Sequence, residues 1–152
     1  SWLAGCLFWG WLRAHPVLHL PVEAFALPLA LGGLSSRWRL ACGFYLSSLI
    51  GTACTDLMMA ATGVMRFWPE VVSAPFETAP ELLHLAGMEL LHPLPVLALT
   101  VAAGLLLGMG QRLRQAGETW EMAGAVLVTT VWVDGLFLVA ALLQPGMSGL
   151  ID

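Results

Sequence analysis

The sequence predicts an all-α fold: a polytopic transmembrane helix bundle of about four or five spans, with one amphipathic helix at the membrane interface. Three observations carry this. Of 152 residues, 59% are hydrophobic and 11% charged, where an ordinary soluble domain has about a quarter charged. Several stretches are apolar around the whole helical circumference, which leaves no polar stripe to face water. Polar residues and prolines gather in short breaks between these stretches, at intervals set by bilayer thickness.

The elements follow in chain order. Trp2 to Leu12 is apolar but shorter than the ~20 residues that cross a hydrocarbon core. It reads as the end of a span whose beginning is missing, and residues 1–152 read as a single transmembrane domain lacking an N-terminal portion. After Arg13, His15 and Pro16, the run Val17 to Leu34 carries Pro21, Pro28 and Glu23. Each internal proline removes a backbone donor, so this span is expected to be kinked or partly unwound. Ser35 to Arg39 is a turn. Leu40 to Met65 is a span with Asp56 deep inside, and its small residues Gly43, Ser47, Ser48, Gly51, Thr52 and Thr55 suit close approach of another helix. Arg66 to Pro80, with three prolines, Glu70 and Glu77, reads as an acidic connecting loop. Glu81 to His92 is the amphipathic helix. Pro93 to Met109 and Trp120 to Leu143 are spans, the last carrying Asp134 and ending at Gln144-Pro145-Gly146.

Successive loops alternate sides of the membrane. The Arg37/Arg39 and Arg112/Arg114 turns therefore share a side, which the positive-inside rule assigns to the cytoplasm. The acidic 66–81 loop is then lumenal, together with Asp152. Trp9, Trp11, Trp38, Trp68 and Trp120, with Trp2, fall near span ends, where indoles anchor at the headgroups. A formal net charge of −4 and the absence of lysine exclude nucleic acid as a partner. Cys6, Cys42 and Cys54 lie in apolar stretches, as small buried hydrophobes.

Three acids stand at membrane depth: Glu23, Asp56 and Asp134. A carboxylate at a helix centre costs ~2.5–3.5 kcal/mol on the insertion scale, so each should face the bundle interior with a partner or a proton. Thr52 and Thr130 each precede an acid by four residues, Asp56 and Asp134, and are placed for a hydrogen bond within the helix. A structural clamp between helices is the favoured reading of these acids, ahead of an ion, proton or ligand role. His15, His19 and Glu23 also recur every fourth residue; a His19 to Glu23 hydrogen bond is favoured over a metal site, which wants three or four good ligands. The paired motifs Glu81-Leu82-Leu83-His84 and Glu89-Leu90-Leu91-His92 resemble the helical element of di-iron sites. Both lie on one helix, so they read as its wet face. No Walker loop, dinucleotide fingerprint, nucleophile elbow or Cys/His metal cluster occurs, so no catalytic or metal residue is assigned and enzyme chemistry has no support.

Three stretches carry a resemblance. They are Trp9-Gly10-Trp11-Leu12-Arg13 with His19-Leu20-Pro21-Val22-Glu23-Ala24, Gly51-Thr52-Ala53 with Thr55-Asp56-Leu57, and Val133-Asp134-Gly135-Leu136-Phe137. In this order and separation the whole chain resembles a cyanobacterial family of multi-pass membrane proteins, the domain of unknown function 3120. The resemblance implies a cyanobacterial host, and with it a thylakoid or plasma membrane, and brings no established activity. Its matching positions include Glu23, Asp56 and Asp134, whereas Glu81 to His92 carries none of it.

The leading expectation is a non-enzymatic accessory or assembly subunit of a photosynthetic membrane complex, photosystem-associated and set in the thylakoid. Its partners would be other membrane subunits and lipids. Its cofactors would be chlorophyll a and carotenoid, with His19, His84 and His92 as the imidazoles available to pigment magnesium. The alternative is a small proton- or ion-linked transporter, in which the broken helix brings Glu23 beside Asp56 and Asp134.

Overall fold

The computed structural model describes residues 2–75 and 77–143, with side chains for all of these except 2–4 and 119. Among the described residues all regular structure is helical. Helix α1 (Trp2–Leu7) runs on as a π-wound stretch, Phe8–Leu12, and packs against the start of the next span. That span, Pro16–Gly33, is broken as its prolines require. A 3-10 turn (Pro16–Leu18) leads into α2 (His19–Glu23), a second 3-10 turn (Ala24–Ala26) and α3 (Leu27–Gly33). In the second turn the bonding tightens to i→i+3, with Leu27 N–H donating to Ala24 O and the Glu23 carbonyl accepting the first bond of the turn. The Tyr45 hydroxyl, from the following helix, also donates to that carbonyl. A break in a helix at membrane depth persists where such donors satisfy the backbone around it.

Ser36 closes the following turn, its Oγ donating to Gly33 O at 2.7 Å and accepting from Trp38 N–H at 3.1 Å. Helix α4 (Arg39–Ala61) is 23 residues long. It stops short of the expected Met65 because Gly63 takes a left-handed conformation, φ 78°, a backbone glycine adopts without a Cβ penalty. Thr62 N–H still bonds Met58 O at 2.9 Å.

The expected acidic loop is largely folded. Residues 64–73, from the end of the expected span into that loop, form a 3-10 turn (Val64–Phe67) and α5 (Trp68–Ser73), with Pro69 in the first turn of α5. A proline there starts a helix rather than breaking one. Val71 packs with Leu83 and Ala141 in a small core flanked by Phe67 and Leu82. Helix α6 (Ala79–Leu90) follows, then α7 (Pro93–Gln115) and α8 (Glu118–Leu143), the last two joined through Gly117 at φ 117°. The expected stop at Gln144-Pro145-Gly146, and Asp152, lie outside the described residues.

Four stretches are long and apolar enough to cross a bilayer: Pro16–Gly33, Arg39–Ala61, Pro93–Gln115 and Trp120–Leu143. The chain is a multi-pass membrane protein. Helix α8 packs along both α4 and α7. In the parallel α4–α8 seam Gly43 lies beneath Trp120 and Ala123, and Gly51 meets Thr130 so closely that a Cβ would stand 2.6 Å from Oγ1. In the antiparallel α7–α8 seam, a Cβ on Gly110 would stand 2.9 Å from Gly124 O. Small residues allow this approach, and in lipid such packing is a main source of helix association. At the other end α5 and α6 cap the bundle. There Trp68 Nε1–H donates to Arg13 O at 2.7 Å, and His84 Nδ1 lies 3.1 Å from Ala141 O.

Candidate functional site

Between the glycine-sealed end and the cap runs a layer of polar side chains, organised by α4. Residues four apart on a helix share a face, and neighbours point about 100° apart. Gly43, Ser47, Gly51 and Thr55 therefore form the stripe toward α8, while Tyr45 and Asp56 form the stripe toward the broken span. Asp56 stands five residues from the end of α4 at Ala61, about 8 Å along the axis at 1.5 Å per residue.

His19 sits between two carboxylates. Its Nε2 is 3.3 Å from Glu23 Oε1, one turn on, and its Nδ1 is 3.4 Å from Asp56 Oδ1 across the helix interface. The three side chains are 24, 27 and 19% exposed. Phe8 covers the imidazole with its ring centroid 4.4 Å away, and is itself fully buried. A neutral imidazole carries one N–H, so it donates to one carboxylate only. Both contacts become hydrogen bonds when one further proton is present, on the ring or on a carboxyl. Both distances exceed the ~2.7–2.9 Å of a tight charge-assisted bond.

On the other flank of α4, Thr55 Oγ1–H donates to Asp134 Oδ2 at 2.6 Å, with Gly51 O a second acceptor at 3.2 Å. The expected intrahelical pairs are replaced here. Asp56 meets His19, and Asp134 meets Thr55. Thr130 instead donates to its own Val126 O at 3.1 Å and packs on Gly51, while Thr52 lies half-buried in α4. The expected His19 to Glu23 contact is present. Glu23 and Asp134, the acids on either side of Asp56, thus belong to two separate clusters joined through α4.

The other histidines stand apart from this layer. His84 leaves the expected wet face of α6 and turns toward the end of α8. Because a backbone carbonyl only accepts, Nδ1 is the donor in this contact, which in a neutral imidazole leaves the lone pair on Nε2. His92 is exposed at the start of α7, in a shallow groove with Phe67, Leu85, Met88, Glu89 and Leu91. His15 is exposed at the turn after Leu12. Glu89 pairs with Arg66 at 3.3 Å on the rim. Among the described residues no group of three or more His, Cys, Asp or Glu is arranged to hold a metal ion. Sequence reasoning missed Tyr45, Phe8 and the pairing role of Thr55. The signal for Tyr45 was present, since it is the only tyrosine and stands eleven residues, close to three helical turns, before Asp56.

Comparison with curated proteins and with solved structures returns no match. A family model described as "Protein of unknown function (DUF3120)" matches residues 1–142. With that match extending through all three intramembrane acids, the chain belongs to the DUF3120 family.

Proposed function

We propose that the chain is a small proton-linked membrane carrier in which His19, Glu23 and Asp56 form the proton-holding group. The observation that supports this most directly is the imidazole set between two carboxylates on different helices, inside apolar spans. A clamp serving stability alone needs one donor and one acceptor. This cluster has three titratable groups, and one of them sits beside a discontinuous helix, as substrate and ion sites of many carriers do. Liposomes containing the full chain and a pH-sensitive dye test the proposal. After an acid jump the wild type takes up protons faster than protein-free liposomes, and Asp56→Asn or His19→Gln removes the difference. Equal rates with and without the wild-type chain would sink it.

A second reading, an accessory subunit of a cyanobacterial photosynthetic complex, draws support from His84. Its fixed tautomer leaves Nε2 available as an axial ligand for chlorophyll magnesium, whereas both nitrogens of His19 are turned to carboxylates. On this reading the membrane is the thylakoid, the arginine turns face the cytoplasm and α6 faces the lumen. Affinity purification from thylakoids decides it: migration alone, without pigment or photosystem subunits, counts against it.

A further inference from the structure

We infer that α2 is a proton-operated latch, fastened to α4 while the His19 cluster holds a further proton and released when that proton leaves. This rests on the carrier reading for what the cluster does, and adds the element that moves with it. Helix α2 is five residues long and lies between two 3-10 turns, Pro16–Leu18 and Ala24–Ala26. No residue from Pro16 to Ala26 is buried. Beyond the second turn α3 buries Ala30 and seats Gly33 against Cys42 of α4. A segment with so few buried contacts draws its local stability from individual bonds. Two polar contacts tie it to α4. Tyr45 donates to Glu23 O at the edge of the second turn, and His19 meets Asp56 one helical turn away. The first involves no group that titrates near neutral pH and pins the pivot. The second is the catch.

Proton counting sets the state of the catch. Among the described residues the charged groups facing His19 are Glu23 on its own helix and Asp56 on α4. The stretch Trp2–Leu12 brings Phe8 and, as its one titratable side chain, the exposed Cys6, while α3 brings none. With the further proton both contacts of His19 are hydrogen bonds. Swinging α2 away from α4 then costs the bond to Asp56 and keeps the one to Glu23, which travels on the same helix. Without it the imidazole has a single N–H. The fastened state then makes one bond and sets the ring's lone pair against a carboxylate. The released state keeps its bond to Glu23 and relieves that contact. The proton therefore favours the fastened state by one hydrogen bond to a charged group, and a differential interaction of this kind is what shifts a two-state equilibrium.

Distances between spin labels test the latch in the full chain reconstituted in liposomes, with Cys6, Cys42 and Cys54 replaced by serine. One labelled pair, Val17→Cys with Leu57→Cys, joins exposed positions beside α2 and on α4; a control pair, Leu29→Cys with Leu57→Cys, joins α3 to α4. Samples are compared on either side of the histidine range, at about pH 5 and about pH 9. Raising the pH is expected to lower the ratio of short to long Val17–Leu57 distances about tenfold and to leave the Leu29 pair unchanged. Asp56→Asn brings its own donor to the imidazole lone pair, so this variant should stay short at both pH values, whereas Asp56→Leu should be long at both. The asparagine variant thereby separates loss of titration from loss of the fold. A wild-type distribution indifferent to pH, a pH response that survives Asp56→Asn, or an equal response in the Leu29 pair would each overturn the latch. Proton uptake by the same liposomes reports on the carrier reading separately. Uptake with an unmoved α2 removes the latch and keeps the carrier; an α2 that moves without uptake does the reverse.

Discussion

Toward the arginine turns, α4, α7 and α8 touch through Gly43, Gly51, Gly110 and Gly124, with Leu106, Ala123 and Leu127 fully enclosed. Toward the cap α4 carries Thr55 and Asp56, and α8 carries Asp134. There α4 has no buried residue after Gly51, α7 none before Leu106, and α8 none between Leu127 and Ala141. One half is closed by backbones brought into contact. The other is held by a few directional bonds between side chains. Lipid offers apolar helices little reason to separate or to join, so the difference between the halves comes from side-chain size at one end and polarity at the other.

The contrast is broken most severely at the glycines. Gly124→Leu forces a side chain into Gly110 and Arg114 and should destabilise the bundle by about 1–3 kcal/mol, the range for overpacking. Gly104→Leu, on a face with open space, should stay within about 0.5 kcal/mol of wild type. Reversible unfolding in mixed micelles compares the two, and equal losses would mean that the close approach is not what seals this half. Next comes Tyr45→Phe, which removes the bond from α4 to the Glu23 carbonyl. A loss of about 1–2 kcal/mol is expected, with faster amide hydrogen exchange confined to the broken span. Trp68→Phe removes one hydrogen bond to Arg13 O and should cost about 0.5–1.5 kcal/mol, read as weaker docking of α1 by limited proteolysis. The smallest effect belongs to Arg66→Gln. Its ion pair with Glu89 is exposed, so a change of about 0–1 kcal/mol is expected, shrinking further in high salt.

The spans, the proline-broken helix and the three intramembrane acids were legible in the sequence because each depends on local composition or backbone chemistry. The division of α4 into two polar faces was also available from helical arithmetic. Which partner each face meets was not. The spacing of Thr52 to Asp56 and of Thr130 to Asp134 speaks only of neighbours within one helix. Thr55 finds Asp134 because Gly43 under Ala123 and Gly51 against Thr130 set the register of two parallel helices far apart in the chain. Likewise the segment around Val71 reads as loop by its prolines and acids. It folds because Leu83 and Ala141, from two later helices, supply a surface for it.

Thr55 and Asp56 are consecutive residues, yet one engages α8 and the other α2. Because they are fixed about 100° apart on one helix, the position of α4 about its own axis sets both contacts at once. The glycines that seat α4 against α8 therefore also fix how far Asp56 stands from His19.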